Sequence, residues 1–85
     1  MSGGRLKRID RPEAKLLMAE FKIRTMTRKQ AEAVIKLNEH NTRLYLAVLK
    51  KAKLIRVCEW LRTVGNFAPV YGYNPKGALD DAPRP

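Results

Sequence analysis

Residues 27–57, TRKQAEAVIKLNEHNTRLYLAVLKKAKLIRV, decide the fold. Thr27 and Gln30 stand at the T-x-x-Q spacing of a capping box, in which the threonine oxygen accepts the third amide and the glutamine reaches back. Ala31, Val34 and Ile35 follow at helical spacing, and Leu37 closes the stripe. The stretch Leu37-Asn38-Glu39-His40 breaks the pattern, and Asn38 is a residue that tolerates the left-handed conformation that ends a helix. Asn41 or Thr42 can cap the next helix, which is expected to run to about Ala52 with Leu46 and Leu49 inward. Lys50, Lys51 and Lys53 cluster at its end, where cations suit the helix dipole as well as they suit a phosphate.

On the N-terminal side, Pro12 fits the first turn of a helix and Asp10 precedes it as a cap. Ala14, Leu17, Met18 and Phe21 give residues 12–23 one apolar face. Residues 1–11 carry Arg5, Lys7, Arg8 and Arg11 with no periodicity and read as a flexible basic arm. On the C-terminal side, Leu54 to Val64 is rich in β-branched and aromatic residues, Gly65-Asn66 is a turn signal, and Ala68 to Tyr73 is a second strand. A two-residue loop at Gly65-Asn66 sets Trp60 opposite Tyr71 and Leu61 opposite Val70. Pro69 donates no backbone hydrogen bond, so it belongs at an edge or in a longer loop. Trp60, Tyr71 and Tyr73 read as core on the hairpin face, with a stacking platform for single strands as the other reading. Cys58 reads as a small buried hydrophobe.

The expected domain is therefore α+β: three helices and a two-stranded β-hairpin over residues 12–74, with a polar, Pro-containing tail at 75–85 in which Asp80 and Asp81 have no partners. Its expected core is Ala14, Leu17, Phe21, Ala31, Val34, Ile35, Leu46, Leu49, Val57 and Trp60. A chain of 85 residues supports only a small core.

Composition narrows the function. Eighteen Lys and Arg stand against eight Asp and Glu, a net charge of +10. Residues 25–54 hold seven of the basic and two of the acidic side chains, and residues 55–85 hold four and three. A field of this size and asymmetry attracts nucleic acid. There is no run of about 18 apolar residues for a membrane span. MSGGRLKRIDRPEAK holds no apolar segment of a secretory signal, so a cytoplasmic location is expected. One cysteine and one histidine leave no material for a metal cluster, and no catalytic set or phosphate loop can be assembled. The expectation is a binding protein, not an enzyme, with no cofactor and no metal.

The order of helix, short helix, tight turn, helix and hairpin, together with residues 27–57, resembles the winged helix-turn-helix DNA-binding modules of bacterial and phage regulators. The matching places are Thr27, Ala31, Leu37, Leu46, Leu49, Leu54 and Ile55. The ending CEWLRTVGNFAPVYGYNPKGALDDAPRP is similar to small phage and prophage proteins whose wing returns through an A-P-V-Y segment. The resemblance implies a sequence-specific transcriptional regulator, with a recognition helix at about 41–52 in the major groove of duplex DNA. Asn41, Arg43 and Tyr45 are then the outward polar positions near that helix start, and Asn and Arg can pair with adenine and guanine. Arg28 and Lys29 at the bracing helix, His40 in the turn, and Arg56 and Arg62 on the hairpin complete the expected nucleic-acid contacts.

Two departures open an alternative. Leu44 and Val48 fall on the face that reads bases, and the tip Val64-Gly65-Asn66-Phe67 lacks arginine. An exposed set of Leu44, Val48 and Phe67 marks a protein interface. Its occupant is helix one, a second subunit in a homodimer, a host protein, or thymine methyls on DNA. The alternative function is a phage-type inhibitor that turns the same frame on a host protein or nucleic-acid machine, as an anti-CRISPR protein does.

Overall fold

A computed structural model describes residues 7–85 of the chain. Residues 1–6, which include most of the expected basic arm, lie outside the described residues. The remainder of that arm is built into the fold, because Arg8–Asp10 make a short 3-10 turn against the first and third helices. The Arg8 guanidinium lies 5.5 Å from the centroid of the Tyr45 ring.

Helix α1 spans Pro12–Phe21, with the proline in its first turn and Arg11 at its N-cap. Asp10 does not cap it. Ala14, Leu17 and Phe21 bury one face. A two-residue strand β1, Met26–Thr27, precedes helix α2, Arg28–Ile35. The capping box forms: Gln30 N donates to Thr27 Oγ1 at 3.4 Å and Thr27 N donates to Gln30 Oε1 at 2.9 Å. The helix ends on Lys36, which takes the left-handed conformation (φ 56°) expected of Asn38. Asn38 is instead the cap of helix α3, Glu39–Lys51, accepting from Asn41 N at 2.9 Å. The third helix thus starts two residues ahead of the expected 41–52, His40 lies in its first turn and not in the preceding loop, and neither Asn41 nor Thr42 caps it.

Helix α3 buries Thr42, Tyr45, Leu46 and Leu49, which fall at i, i+3, i+4 and i+7 on one face. It ends in a Schellman arrangement: Leu54 N donates to Leu49 O and Lys53 N to Lys50 O, with Lys53 left-handed at φ 61°. Glycine is the usual residue there, because a Cβ is strained at positive φ. Lys53→Gly should therefore be more stable than Lys53→Ala by about 0.5–1 kcal/mol in thermal melts, both having lost the same charge. Equal melting temperatures would show that Lys53 carries no backbone strain.

Strands β2, Ile55–Thr63, and β3, Asn66–Tyr73, form the hairpin, and β1 joins the far side of β3. The sheet is antiparallel, ordered β1-β3-β2, with three strands and not the two expected. Met26 and Thr27 pair with Tyr71 and Val70. The loop is Val64-Gly65, with the positive φ on Gly65 (76°), so Thr63 faces Asn66, Trp60 faces Pro69 and Leu61 faces Ala68. The expected register was two residues out because Asn66 is the first strand residue, not a loop residue. Pro69 is tolerated although β3 is the central strand, because β1 is too short to reach it. A bulge at Cys58 interrupts β2 between Val57 and Glu59. Gly72 lies beneath that bulge: a Cβ there would stand 3.1 Å from Cys58 Sγ. Cys58 itself is half-buried, its thiol donating to Val70 O at 3.3 Å.

The core takes Ala14, Leu17, Phe21, Ala31, Ile35, Leu46, Leu49 and Val57 as expected, and adds Met26, Tyr45, Ile55 and Val70. Val34 and Trp60 are only half-buried. No helix among the described residues is long and apolar enough to cross a membrane.

Candidate nucleic-acid interface

A groove of about 770 Å³ separates helix α3 from the hairpin. Its helical wall carries Arg28 and Lys29 from the start of α2 and Arg43, Ala47 and Lys50 from α3. Its hairpin wall carries Leu61, Phe67, Ala68, Pro69 and Tyr71. Arg43, Ala47 and Lys50 stand at i, i+4 and i+7, so they share one line along the helix. No carboxylate is among the residues that line the groove.

The cations are held from outside it. Arg28 Nε lies 2.9 Å from Glu32 Oε2 and Arg28 Nη1 lies 3.4 Å from Glu39 Oε1. Arg43 Nη2 is 3.3 Å from Glu39 Oε2 and its side chain is 64% exposed. Lys50 Nζ is 2.9 Å from Asp81 Oδ2. Such half-exposed pairs are weak, and they orient the guanidinium and ammonium groups without cancelling the local field. Burial pushes the Tyr71 hydroxyl above its ordinary value, with Lys50 opposing, Asp81 adding to the rise, and Arg43 and Arg28 opposing more weakly. It therefore stays a neutral donor among the groove cations.

Of the expected contact residues, Arg28, Lys29 and Arg43 come together in this groove. His40 and Arg62 are exposed but lie outside it, and Asn41 is half-buried in the first turn of α3. Tyr45 is not an outward residue. It is 4% exposed, one position before Leu46 on the buried face, and its hydroxyl donates to Glu13 Oε1 at 3.4 Å. Arg56 is also committed internally, since its Nη1 donates to Asp80 O at 2.8 Å. Lys50 is the groove cation that was not among the expected contacts. Its seven-residue spacing from Arg43 puts both on one face of α3, and the position of the hairpin makes that face a wall of the groove.

The expected apolar set of Leu44, Val48 and Phe67 does not form one exposed patch. All three are half-buried. Phe67 lines the groove, while Leu44 and Val48 lie about 110° round α3 from Arg43, Ala47 and Lys50. The large apolar side chains most open to solvent lie elsewhere, Ile23 at 78% and Val64 at 105% among them. The aromatic residues do not make a shared platform either. Tyr71 packs against the core, Tyr73 carries Lys22 Nζ 5.7 Å from its ring centroid, and Trp60 sits opposite Pro69 under Arg84.

The C-terminal segment is a strap and not a partnerless tail. Pro75–Gly77 make a 3-10 turn, and Asn74, 3% exposed, exchanges hydrogen bonds with both the N–H and C=O of Leu79. Beyond it, Ala82 N donates to Val57 O at 2.7 Å and Val57 N donates to Asp81 Oδ1 at 2.8 Å. The Trp60 indole donates to Ala82 O at 3.0 Å. Arg84 stacks on the Trp60 ring, 5.6 Å from its centroid, and donates to Asn66 Oδ1 at 2.8 Å. The strap covers the outer edge of β2, which would otherwise present unpaired backbone groups.

Burial works to raise the Asp81 carboxyl, but hydrogen bonds from Lys50 and Val57 N and the charges of Lys50 and Arg56 outweigh it and hold the group below its ordinary value of 3.8. A carboxyl lowered on folding contributes stability above its unfolded value and loses it as pH falls through the folded one. Emission of Trp60, the single tryptophan, should accordingly hold steady from pH 8 to 5 and shift to the red in stronger acid as the strap leaves. A red shift complete by pH 5 would contradict that sign.

Compared with protein-family models, curated proteins and solved structures, the chain matches none of them.

Proposed function

We propose that this chain is a winged helix-turn-helix module that binds duplex DNA, with α3 as the recognition helix and the groove beside it taking the phosphate backbone of one strand. The observation that carries the reading is the groove itself: Arg28, Lys29, Arg43 and Lys50 converge on it and no carboxylate lines it. Two further features support it. The elements run helix, strand, helix, helix, strand, strand, and α2 and α3 are joined by Lys36, Leu37 and Asn38 alone, a tight helix-helix turn. The outward face at the start of α3 carries His40 and Arg43, where a recognition helix meets base edges. Arg43 is the residue positioned to read sequence, and the other groove cations supply affinity that every duplex shares. The biological role that follows is that of a small regulator of the phage and bacterial type.

The test is titration of a labelled duplex by fluorescence anisotropy at 50 and 200 mM salt. Log affinity should fall linearly with log salt, by about 0.9 per phosphate contact, or about 2.7 for the three phosphate-facing cations Arg28, Lys29 and Lys50. Among variants, Arg43→Ala should lose about 1–3 kcal/mol on a selected site and relax preference at one base position. Absence of binding at 50 mM salt would overturn the reading.

A second reading, inhibition of a host protein, has one observation in its favour: Leu16 on α1 and Ile23 just beyond it are both exposed, at 53% and 78%. If that surface is the functional one, Ile23→Glu abolishes a protein complex, while duplex titrations detect nothing.

A further inference from the structure

We infer that the C-terminal strap is a latch on the DNA-binding groove, in which Asp81 occupies Lys50 as a stand-in for a phosphate and is displaced when a duplex enters. The inference rests on the duplex-binding reading and adds a regulation to the same site.

The pairing of Lys50 differs in kind from that of the other groove cations. Arg28 and Arg43 are paired with Glu32 and Glu39, which stand on α2 and α3 and move with the cations they pair. The counter-charge on Lys50 comes from a segment outside the helices and the sheet. Asp81 is nevertheless placed with care. One carboxylate oxygen takes the backbone N–H of Val57 and the other takes the Lys50 ammonium. The backbone bond fixes the anion where it meets the edge of the groove. An oxygen anion 2.9 Å from Lys50 Nζ is also what a phosphodiester offers that lysine.

The attachments are built to be reversible. Between Asp80 and Arg84, the strap is held by a few hydrogen bonds, one stacking contact and one ion pair, mostly at exposed or half-exposed positions. Segments with so few buried contacts open first. Displacing Asp81 removes a negative charge from the groove edge and releases Lys50 to a phosphate in the same event.

The neighbouring carboxylate supplies a charge-matched control. Asp80 contributes only its backbone oxygen, to Arg56, and its carboxylate makes no hydrogen bond or ion pair among the described residues. Asp81→Asn and Asp80→Asn therefore change net charge equally, and only the first opens the latch. Titrated with a labelled duplex, Asp81→Asn should bind about three- to tenfold tighter than Asp80→Asn at 50 mM salt, with an unchanged salt slope, because Lys50 reaches a phosphate in both complexes. In a Lys50→Gln background the two should bind alike. In the absence of DNA, Trp60 emission should shift to the red in Asp81→Asn and not in Asp80→Asn. If Asp81→Asn binds no tighter than Asp80→Asn while both bind duplex, the latch is overturned and the duplex reading stands. If no variant binds duplex at 50 mM, the reading falls and the latch with it.

Discussion

Leu49→Ala will cost about 2–5 kcal/mol and lower the melting temperature by more than about 10 °C. Leu49 is fully buried, in the last turns of α3 where that helix meets the rest of the core. Its removal leaves a cavity that a domain of 85 residues cannot close by moving one helix without disturbing the others. A domain of this size has about 5–15 kcal/mol in all, so the loss removes a large share of it. Val48→Ala provides the contrast. Val48 is one residue away on a half-buried flank, and its truncation should cost no more than about 1 kcal/mol. Circular dichroism melts of the pair decide the matter, and equal melting temperatures would misplace the core.

The residues that were legible in the sequence are those whose structure is set by near neighbours. The Thr27–Gln30 box forms because both partners lie within one turn. Leu46 and Leu49 point inward because a three-residue spacing leaves no other face for them. The misread residues depend on a boundary or on a distant partner. Tyr45 reads as outward in the sequence because its hydroxyl is a polar signal close to Arg43. The ring is buried, and its hydroxyl finds Glu13 in α1, 32 residues away. Strand β1 is two residues long and has no alternation to detect, so its pairing with β3 is a product of the tertiary fold. The strap is the extreme case. DDAPRP has the composition of a solvated end, and its order comes from Val57 and Trp60, 24 and 22 residues earlier in the chain. Lys50 was visible as part of a basic cluster, but the helix dipole accounted for it equally well, and only the position of the hairpin puts it on the groove.

The largest functional effect should come from neutralising one wall of the groove. Arg28→Gln, Lys29→Gln and Arg43→Gln together remove three charges from one surface. Lys15→Gln, Lys22→Gln and Lys76→Gln remove three from α1, its C-cap and the turn after β3, away from the groove. The two triple variants carry the same net charge, so a protein that binds DNA through its overall field alone would lose the same affinity in both. Direct phosphate contact predicts a different outcome. The groove variant should lose about 1.8 from its salt slope, one counterion contribution for each of the phosphate contacts of Arg28 and Lys29, and the control should keep the parent slope. Stability separates loss of contact from loss of fold: the pairs broken at Arg28 and Arg43 are half-exposed, and each is worth about 1 kcal/mol at most. Both variants should therefore melt within a few degrees of the parent. If the two lose affinity equally and keep equal slopes, the charge acts as a diffuse field, and the groove between α3 and the hairpin is not where the duplex sits.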